Sequence, residues 1–278
     1  MPKKGEGKKP KQPTKYAEVI AWVFQKNYRE GDRAVSFTRD ELVEAHDALG
    51  LKRTKNIGDL PYSFRFRTPL PDEITRTAPK NSEWIILGRG TAAYEFRLAS
   101  PGKVSPARDR ERIPIFDATP EIVRKYAPGM DEQALLTRAR YNRLVDLFLG
   151  LTCYSIQNHL RTSLPDVGQI EIDEIYLGVS KSGTHYVIPC QAKSRRDRFG
   201  IVQVIQDLKF CEAKYPNAIC RPIAMQFQGP NEVALLELSV TQDEDVQRLN
   251  VRDEKHYRLC MTSEISEEQI RGLRDHES

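Results

Sequence analysis

Two segments in the middle of the chain predict a pair of β-strands. Residues 168–179 and 184–194 are rich in β-branched and aromatic side chains, and the Ser-Lys-Ser-Gly between them suits a hairpin turn. A buried strand is expected to be apolar, yet these segments carry polar side chains at Asp173, Gln191 and Lys193. Charged groups inside such strands are costly unless they are paired or bind a ligand, so they indicate a site.

The surrounding pattern predicts an α/β domain. Helical spacing of apolar residues predicts helices over 131–150, closed by Gly150, and over 200–216, ended by Pro216. Thr119-Pro120-Glu121 predicts a further helix start. Additional strands are predicted at 152–163, 218–229 and 233–240. This order, a helix, three strands, a helix and more strands, predicts a mixed sheet flanked by helices.

The N-terminal part has a different pattern. Residues 15–28 and 36–51 predict two helices, the second with a capping box at Thr38 and Glu41 and a stop at Gly50. A basic segment with interleaved aromatics, 52–70, follows, and 83–98 predicts two strands around a Gly-Arg-Gly turn.

Helix, helix, basic segment and hairpin is the order of a winged helix-turn-helix, a small α+β domain. This interpretation assigns DNA contacts to Lys52, Arg53, Lys55 and Arg89. A small α+β packing domain with solvated arginines is the open alternative.

Composition divides the 278 residues into four parts. A lysine-rich, Pro/Gly-rich start predicts a disordered basic arm over 1–14, which could bind a polyanion or simply solubilise the chain. The winged-helix-like domain is predicted over 15–100, a Pro-rich charged linker over 101–113, and the α/β domain over 114–278.

The same composition argues against a membrane protein or a secreted one. No segment approaches the roughly 20 apolar residues that span a bilayer, and no apolar run follows the basic start. Five cysteines without a CxxC pair favour structural, reduced thiols in a cytoplasmic protein. No Gly-rich phosphate loop follows a strand. The histidines lie far apart and are predicted to be packing or surface residues: His46, His159, His185, His256 and His276.

The polar residues in the two central strands suit metal-assisted chemistry. Because side chains alternate along a strand, Glu171 shares a face with Asp173, and Gln191 shares one with Lys193. Carboxylate and amide oxygens are hard ligands that Mg²⁺ accepts. A lysine beside them can orient a water whose pKa the metal lowers. Phosphodiester hydrolysis needs such a set.

With Asp173 and Gln191-Ala192-Lys193, the sequence resembles the PD-(D/E)xK nuclease superfamily, in the QxK variant of Mrr-type restriction endonucleases. The resemblance covers roughly residues 130–230. It implies a restriction-endonuclease-like α/β fold, Mg²⁺ (with Mn²⁺ as a substitute) held by Asp173 and Gln191, and Lys193 positioning the attacking water.

Three features depart from the family pattern. Ile172 stands where the motif has Pro, and Gln191 is a weaker metal ligand than Glu. Relatives often place a Glu on the preceding helix, and Glu132 and Asp146 both compete for that position. Two glutamines of the following helix, Gln203 and Gln206, resemble polar residues that face the site in relatives.

These observations together predict a metal-dependent DNA endonuclease of a restriction or phage-defence type, acting on double-stranded DNA as a homodimer. The alternative is a DNA-binding regulator whose nuclease-like domain is a catalytically inactive dimerisation platform. An RNA-directed nuclease is a third possibility, although the sequence contains no aromatic stacking motif of an RNA module.

Overall fold

A computed structural model describes residues 14–126, 129–243 and 245–275. The chain divides into two compact units, residues 1–99 and 100–278. Apart from Thr14, the predicted basic arm lies outside the described residues. No helix in the described ranges is long and apolar enough to cross a membrane.

The first unit contains four helices and three strands in its described part. In chain order they are α1 (Lys15–Asn27), β1 (Ala34–Thr38), α2 (Arg39–Ala48), α3 (Asp59–Phe66), α4 (Asp72–Thr75), β2 (Glu83–Gly88) and β3 (Ala93–Ala99). Both β1 and β2 pair antiparallel with β3. The predicted capping box at Thr38 is present, Gly50 has the left-handed φ of 63° that ends a helix, and the predicted hairpin forms.

The strand β1 was not predicted. Its buried Val35 and Phe37 alternate with exposed neighbours over only five residues, which is too short for a clear periodic signal. An aromatic core forms behind it, in which Phe24 packs edge-on against Trp84 and Phe96.

The second unit begins with elements that lead to the central strands. They are β4 (Arg112–Phe116), α5 (Glu121–Tyr126), α6 (Glu132–Tyr141), α7 (Leu144–Leu149), β5 (Thr152–Leu164), β6 (Gly168–Val179) and β7 (His185–Lys193). The remaining elements are α8 (Ile201–Lys214), β8 (Ile219–Cys220), β9 (Ile223–Gly229), β10 (Glu232–Asp243), β11 (Val246–Cys260), a 3₁₀ turn (Thr262–Glu264) and α9 (Glu267–Asp275).

These strands form the mixed sheet that the sequence predicts, in the order β4-β11-β10-β9-β7-β6-β5. The pairs β7–β9 and β11–β4 are parallel, the other neighbours are antiparallel, and β8 pairs with β7. Neighbouring residues of β7 point to opposite faces, so Ile188 packs with α6 and α7 while Val187 packs with α8. The second unit is therefore an α/β structure with helices on both faces.

The single helix predicted over 131–150 is wrong. The helix breaks at Arg143, which has a left-handed φ of 49°, and it resumes as α7. The buried amide of Asn142 donates to Asp117 and Thr119 (both 3.1 Å) and accepts from the Ala118 backbone (2.8 Å). These bonds to the loop after β4 offset the helical bonds lost at the break.

The segment predicted as a linker, 101–113, belongs to the second unit, where Val104 pairs with Phe199 and Arg112 begins β4. The boundaries predicted for the four parts stay predictions. All five cysteines are free thiols.

Candidate active site

The candidate site lies where β6 and β7 diverge. The two strands are paired from Val179 opposite His185 as far as Glu174 opposite Cys190. Beyond that point β7 pairs in parallel with β9, through Cys190 to Lys193. The residues singled out from the sequence, Asp173, Gln191 and Lys193, follow directly after the last shared pair, so the divergence brings the two half-motifs to one end of the hairpin.

Asp173 is held across this divergence. Its Oδ2 accepts a 2.8 Å hydrogen bond from the Ala192 backbone amide of β7. Burial raises the pKa of the Asp173 carboxyl, and the Ala192 amide and the positive charge of Lys193 partly oppose that shift. Asp173 is thus a largely buried carboxylate beside a lysine, a setting in which a bound cation would stabilise the ionised form.

Gln191 is fixed by two hydrogen bonds from its amide nitrogen. Nε2 donates to the Glu171 carbonyl (3.2 Å) and to Oδ1 of Asp207 (3.1 Å) on α8. Since the nitrogen is used in this way, the amide oxygen is the atom left to face a cation. Burial holds the pKa of Asp207 well above its ordinary range, although the Gln191 hydrogen bond opposes the shift. Sequence reasoning missed Asp207 because it stands in an ordinary amphipathic helix pattern.

The side chain of Glu171 contacts residues of the edge strand β5 and of its own strand. Its carboxylate lies 3.6 Å from Arg161 of β5 and accepts a 3.3 Å bond from Gln169. The Arg161 side chain is largely exposed, so the ion pair is weak. Glu171 contributes to the site most directly through its backbone carbonyl, which accepts from Gln191.

The two helix acids that the sequence offers, Glu132 and Asp146, lie in different surroundings. Glu132, the first residue of α6, raises the pKa of Asp173 through its negative charge, after the larger effect of burial. Asp146 instead forms an ion pair with Arg143 and accepts from the Cys153 amide at 2.9 Å. Asp146 is thus engaged by other partners, whereas Glu132 has a minor electrostatic effect on Asp173.

The two glutamines of α8 differ as well. Gln206 is buried and donates to the Gln169 carbonyl at 2.8 Å, which joins α8 to the start of β6. Gln203 is half-buried. Gln206 is thus engaged at the start of β6 and not at Asp173 or Lys193.

Within the described part of the chain, no three His, Cys, Asp or Glu side chains lie close enough together to hold a metal ion by themselves. A cation here would have Asp173 and Gln191 as protein ligands and would need water or substrate oxygens for the rest of its shell. Mg²⁺ is commonly bound in this way, through one or two carboxylates plus substrate phosphates.

The four basic residues predicted to contact DNA form two groups, two exposed lysines and two arginines that are bound to acidic side chains. Lys52 and Lys55 are exposed in the segment between α2 and α3. Arg53, in the same segment, pairs with Asp47 through a bidentate contact of 3.0 and 2.5 Å. Arg89, at the β2–β3 turn, pairs with Glu95 at 2.7 Å. The two arginines thus have intramolecular partners with which a phosphate would compete.

Comparison of the chain with protein-family models, with curated proteins and with solved structures finds no match. We therefore infer the function from the residues and their geometry.

Proposed function

We propose that this chain is a metal-dependent endonuclease that hydrolyses phosphodiester bonds of double-stranded DNA, with an active site of the PD-(D/E)xK type. The observation that carries this proposal is the divergence of β6 and β7, which places a largely buried carboxylate, Asp173, within electrostatic range of Lys193. A largely buried acid near a lysine, at a point where two strands separate, is a costly arrangement that suits catalysis better than packing.

The oxygens at the divergence fit a hard divalent cation. Asp173 uses one oxygen to accept from Ala192, which leaves the other for a metal, and Gln191 has its amide oxygen left. Mg²⁺, or Mn²⁺ in its place, would be held by these two residues. When bound, it would polarise the phosphate and lower the pKa of a water.

The protein's own residues would perform the remaining steps. The Lys193 ammonium would orient the attacking water and neutralise charge that develops on the phosphate oxygens. Glu132 would strengthen the negative field that draws a cation to Asp173. Asp207, through its bond to Gln191 Nε2, would keep the amide oxygen turned toward the site.

The first unit supports a DNA-reading role. The element order α1-β1-α2-α3-α4, followed by a β2–β3 hairpin whose strand β3 also pairs with β1, resembles that of a winged helix-turn-helix with a short additional helix. In such a domain α3 would enter a groove, and the turn with Arg89 would be the wing. The exposed Lys52 and Lys55 would then contact phosphates.

This assignment predicts that the two lysines contribute more than Arg53 to the salt dependence of duplex binding. In the full-length protein, Lys52→Ala and Lys55→Ala should each lower the log–log salt slope of duplex binding by about one, the loss of one phosphate contact. Arg53→Ala should change the slope less, because Asp47 already neutralises that side chain. Fluorescence anisotropy across a salt series measures the slope. Equal slopes for all three variants and the wild type would remove these residues from the DNA interface.

Cutting both strands of a duplex requires two active sites, so we propose a homodimer. A nuclease domain joined to its own reader domain also suits a restriction or phage-defence enzyme, by analogy with the family that the motif resembles.

One observation favours a second candidate function. The Gln191 amide has two structural hydrogen bonds, as a residue of an inactive, nuclease-like dimerisation domain would have. In that case the chain would be a DNA-binding regulator. Metal-dependent cleavage by the wild-type protein separates the two candidates.

Exchanging the two groups of the Gln191–Asp207 pair tests the metal site. The double variant Gln191→Glu/Asp207→Asn keeps a hydrogen bond between β7 and α8, now donated by the residue at 207, and gives the metal a second carboxylate ligand. We expect Mg²⁺ to raise its melting temperature more than that of the wild type, since ligand binding to the folded state stabilises it. Gln191→Leu should reduce the Mg²⁺-dependent shift, with Asp207→Asn alone as the matched control. An identical shift in all four proteins would show that Gln191 is not a ligand.

A further inference from the structure

Strand β5 is irregular in the stretch that faces the candidate site. Its register with β6 shifts at a bulge between Ser155 and Gln157. Two residues after Gln157, His159 adopts a left-handed backbone conformation, with a φ of 48°. A bulge beside a site commonly re-aims a side chain, and a left-handed non-glycine residue costs free energy that the fold must offset.

A buried polar network fixes this irregular stretch from the other side. Glu174, which is fully buried, accepts from Ser155 Oγ at 2.6 Å and from Arg140 Nε at 3.0 Å. The second arm of the Arg140 guanidinium donates to Asn158 at 3.1 Å. Asn158 is therefore anchored directly to Arg140 of α6, and Ser155 is anchored to it through Glu174, so the strand is fixed on both sides of the bulge.

The register places His159 opposite Asp173. Asn158 pairs with Glu174 and Leu160 with Ile172, so His159 and Asp173 are the residues between these two pairs. The side chain of His159 is exposed, and it lowers the pKa of the Asp173 carboxyl, although burial, the Ala192 amide and Lys193 have larger effects on that pKa. An exposed imidazole therefore lies on the edge strand at the level of the carboxylate proposed to bind metal.

His159 does not form a metal cluster with the acids near it. No group of three His, Cys, Asp or Glu side chains among the described residues could hold an ion. Arg161 follows two positions along β5 and is also largely exposed. An edge strand that presents a histidine and an arginine beside a phosphodiesterase site suits the phosphates of the bound strand.

We propose that His159 is a substrate-contacting residue of this site, donating a hydrogen bond to a backbone phosphate of the DNA strand that is cut. The inference rests on the endonuclease proposed above. It assigns a functional role to a histidine that has no metal-ligand spacing in the sequence. It also accounts for the bulge in β5, because without the register shift residue 159 would not lie opposite Asp173.

The test compares full-length wild type with His159→Ala, His159→Asn and the control His185→Ala, which removes an exposed histidine from the first position of β7. Asn tolerates the left-handed conformation and keeps an N–H donor. Steady-state cleavage of a fluorescent DNA duplex in Mg²⁺ gives KM and kcat. Anisotropy of the same duplex, with Ca²⁺ replacing Mg²⁺, gives Kd without cleavage.

We expect His159→Ala to raise both KM and Kd about tenfold, the effect of one lost hydrogen bond to a charged group, with a smaller change in kcat. His159→Asn should recover most of the affinity, and His185→Ala should match the wild type. Unchanged KM and Kd for His159→Ala, or a loss of kcat alone, would overturn the inference. If the wild type does not cleave DNA, the endonuclease proposal fails, and the Ca²⁺ binding data still decide whether His159 contacts the duplex.

Discussion

Asp173→Asn should lower the rate of duplex cleavage in Mg²⁺ by about a thousandfold or more, and Lys193→Ala should have a comparable effect. Asn is nearly isosteric with Asp and can still accept the 2.8 Å bond from Ala192, so the fold is preserved while the charge that would hold the metal is lost. Duplex binding should fall far less than cleavage, because the proposed reader in the first unit supplies further contacts to the duplex.

Two exposed residues in turns of the same unit provide matched controls. Asp166→Asn and Lys181→Ala make the same chemical changes before β6 and between β6 and β7. Both should cleave at the wild-type rate, and all four variants should melt at similar temperatures. Wild-type cleavage by Asp173→Asn or by Lys193→Ala would mean that the catalytic residues lie elsewhere.

Arg140→Ala should have the largest effect on stability, lowering the free energy of unfolding by about 3 kcal/mol. The reason is the carboxylate of Glu174, which is fully buried and has the Arg140 guanidinium at 3.0 Å as its cationic partner. Removing the arginine leaves a buried charge uncompensated. Urea denaturation at neutral pH, with the slope of the transition compared between variants, measures the change.

Two further variants serve as controls for this prediction: one removes a surface ion pair, and the other also neutralises Glu174. Lys209 pairs with Glu212 on the exposed side of α8, and Lys209→Ala should change stability by no more than about 0.5 kcal/mol. Arg140→Ala/Glu174→Gln should recover part of the lost stability, since the buried group is then neutral. A loss in Arg140→Ala no greater than that in Lys209→Ala would show that Glu174 is not a buried, ionised carboxylate in solution.

The sequence predicts the central hairpin and the helix after it most closely. The bounds of β6 are those of the predicted segment, and α8 ends one residue before Tyr215, as Pro216 requires. These elements depend on local signals: β-branched runs, a turn with Gly183 at a φ of 81°, and a helix-breaking proline.

Elements that depend on distant partners could not be predicted in this way. Strand β11 is rich in charged residues and has a largely exposed middle, so it has no alternating apolar pattern. It forms because β10 pairs with it along almost its whole length. The break between α6 and α7 likewise depends on Asn142 reaching residues 117–119, far back in the chain.

The candidate site shows the same division. Asp173, Gln191 and Lys193 stand out in the sequence because they interrupt apolar strands. Asp207 does not, since a polar residue in an amphipathic helix is usually solvated, and only the packing of α8 on the sheet shows that it is buried against Gln191. His159 was predicted to be an ordinary packing or surface residue, and only the register of β5 with β6 places it opposite Asp173.

The most direct test of the proposed activity is incubation of the purified full-length protein with supercoiled plasmid DNA in Mg²⁺, in Mn²⁺, and in excess chelator. A metal-dependent endonuclease converts the plasmid to open-circular and linear forms with either metal and leaves it supercoiled with the chelator. Plasmid that binds the protein but stays intact under every metal condition would contradict the endonuclease and favour the regulator.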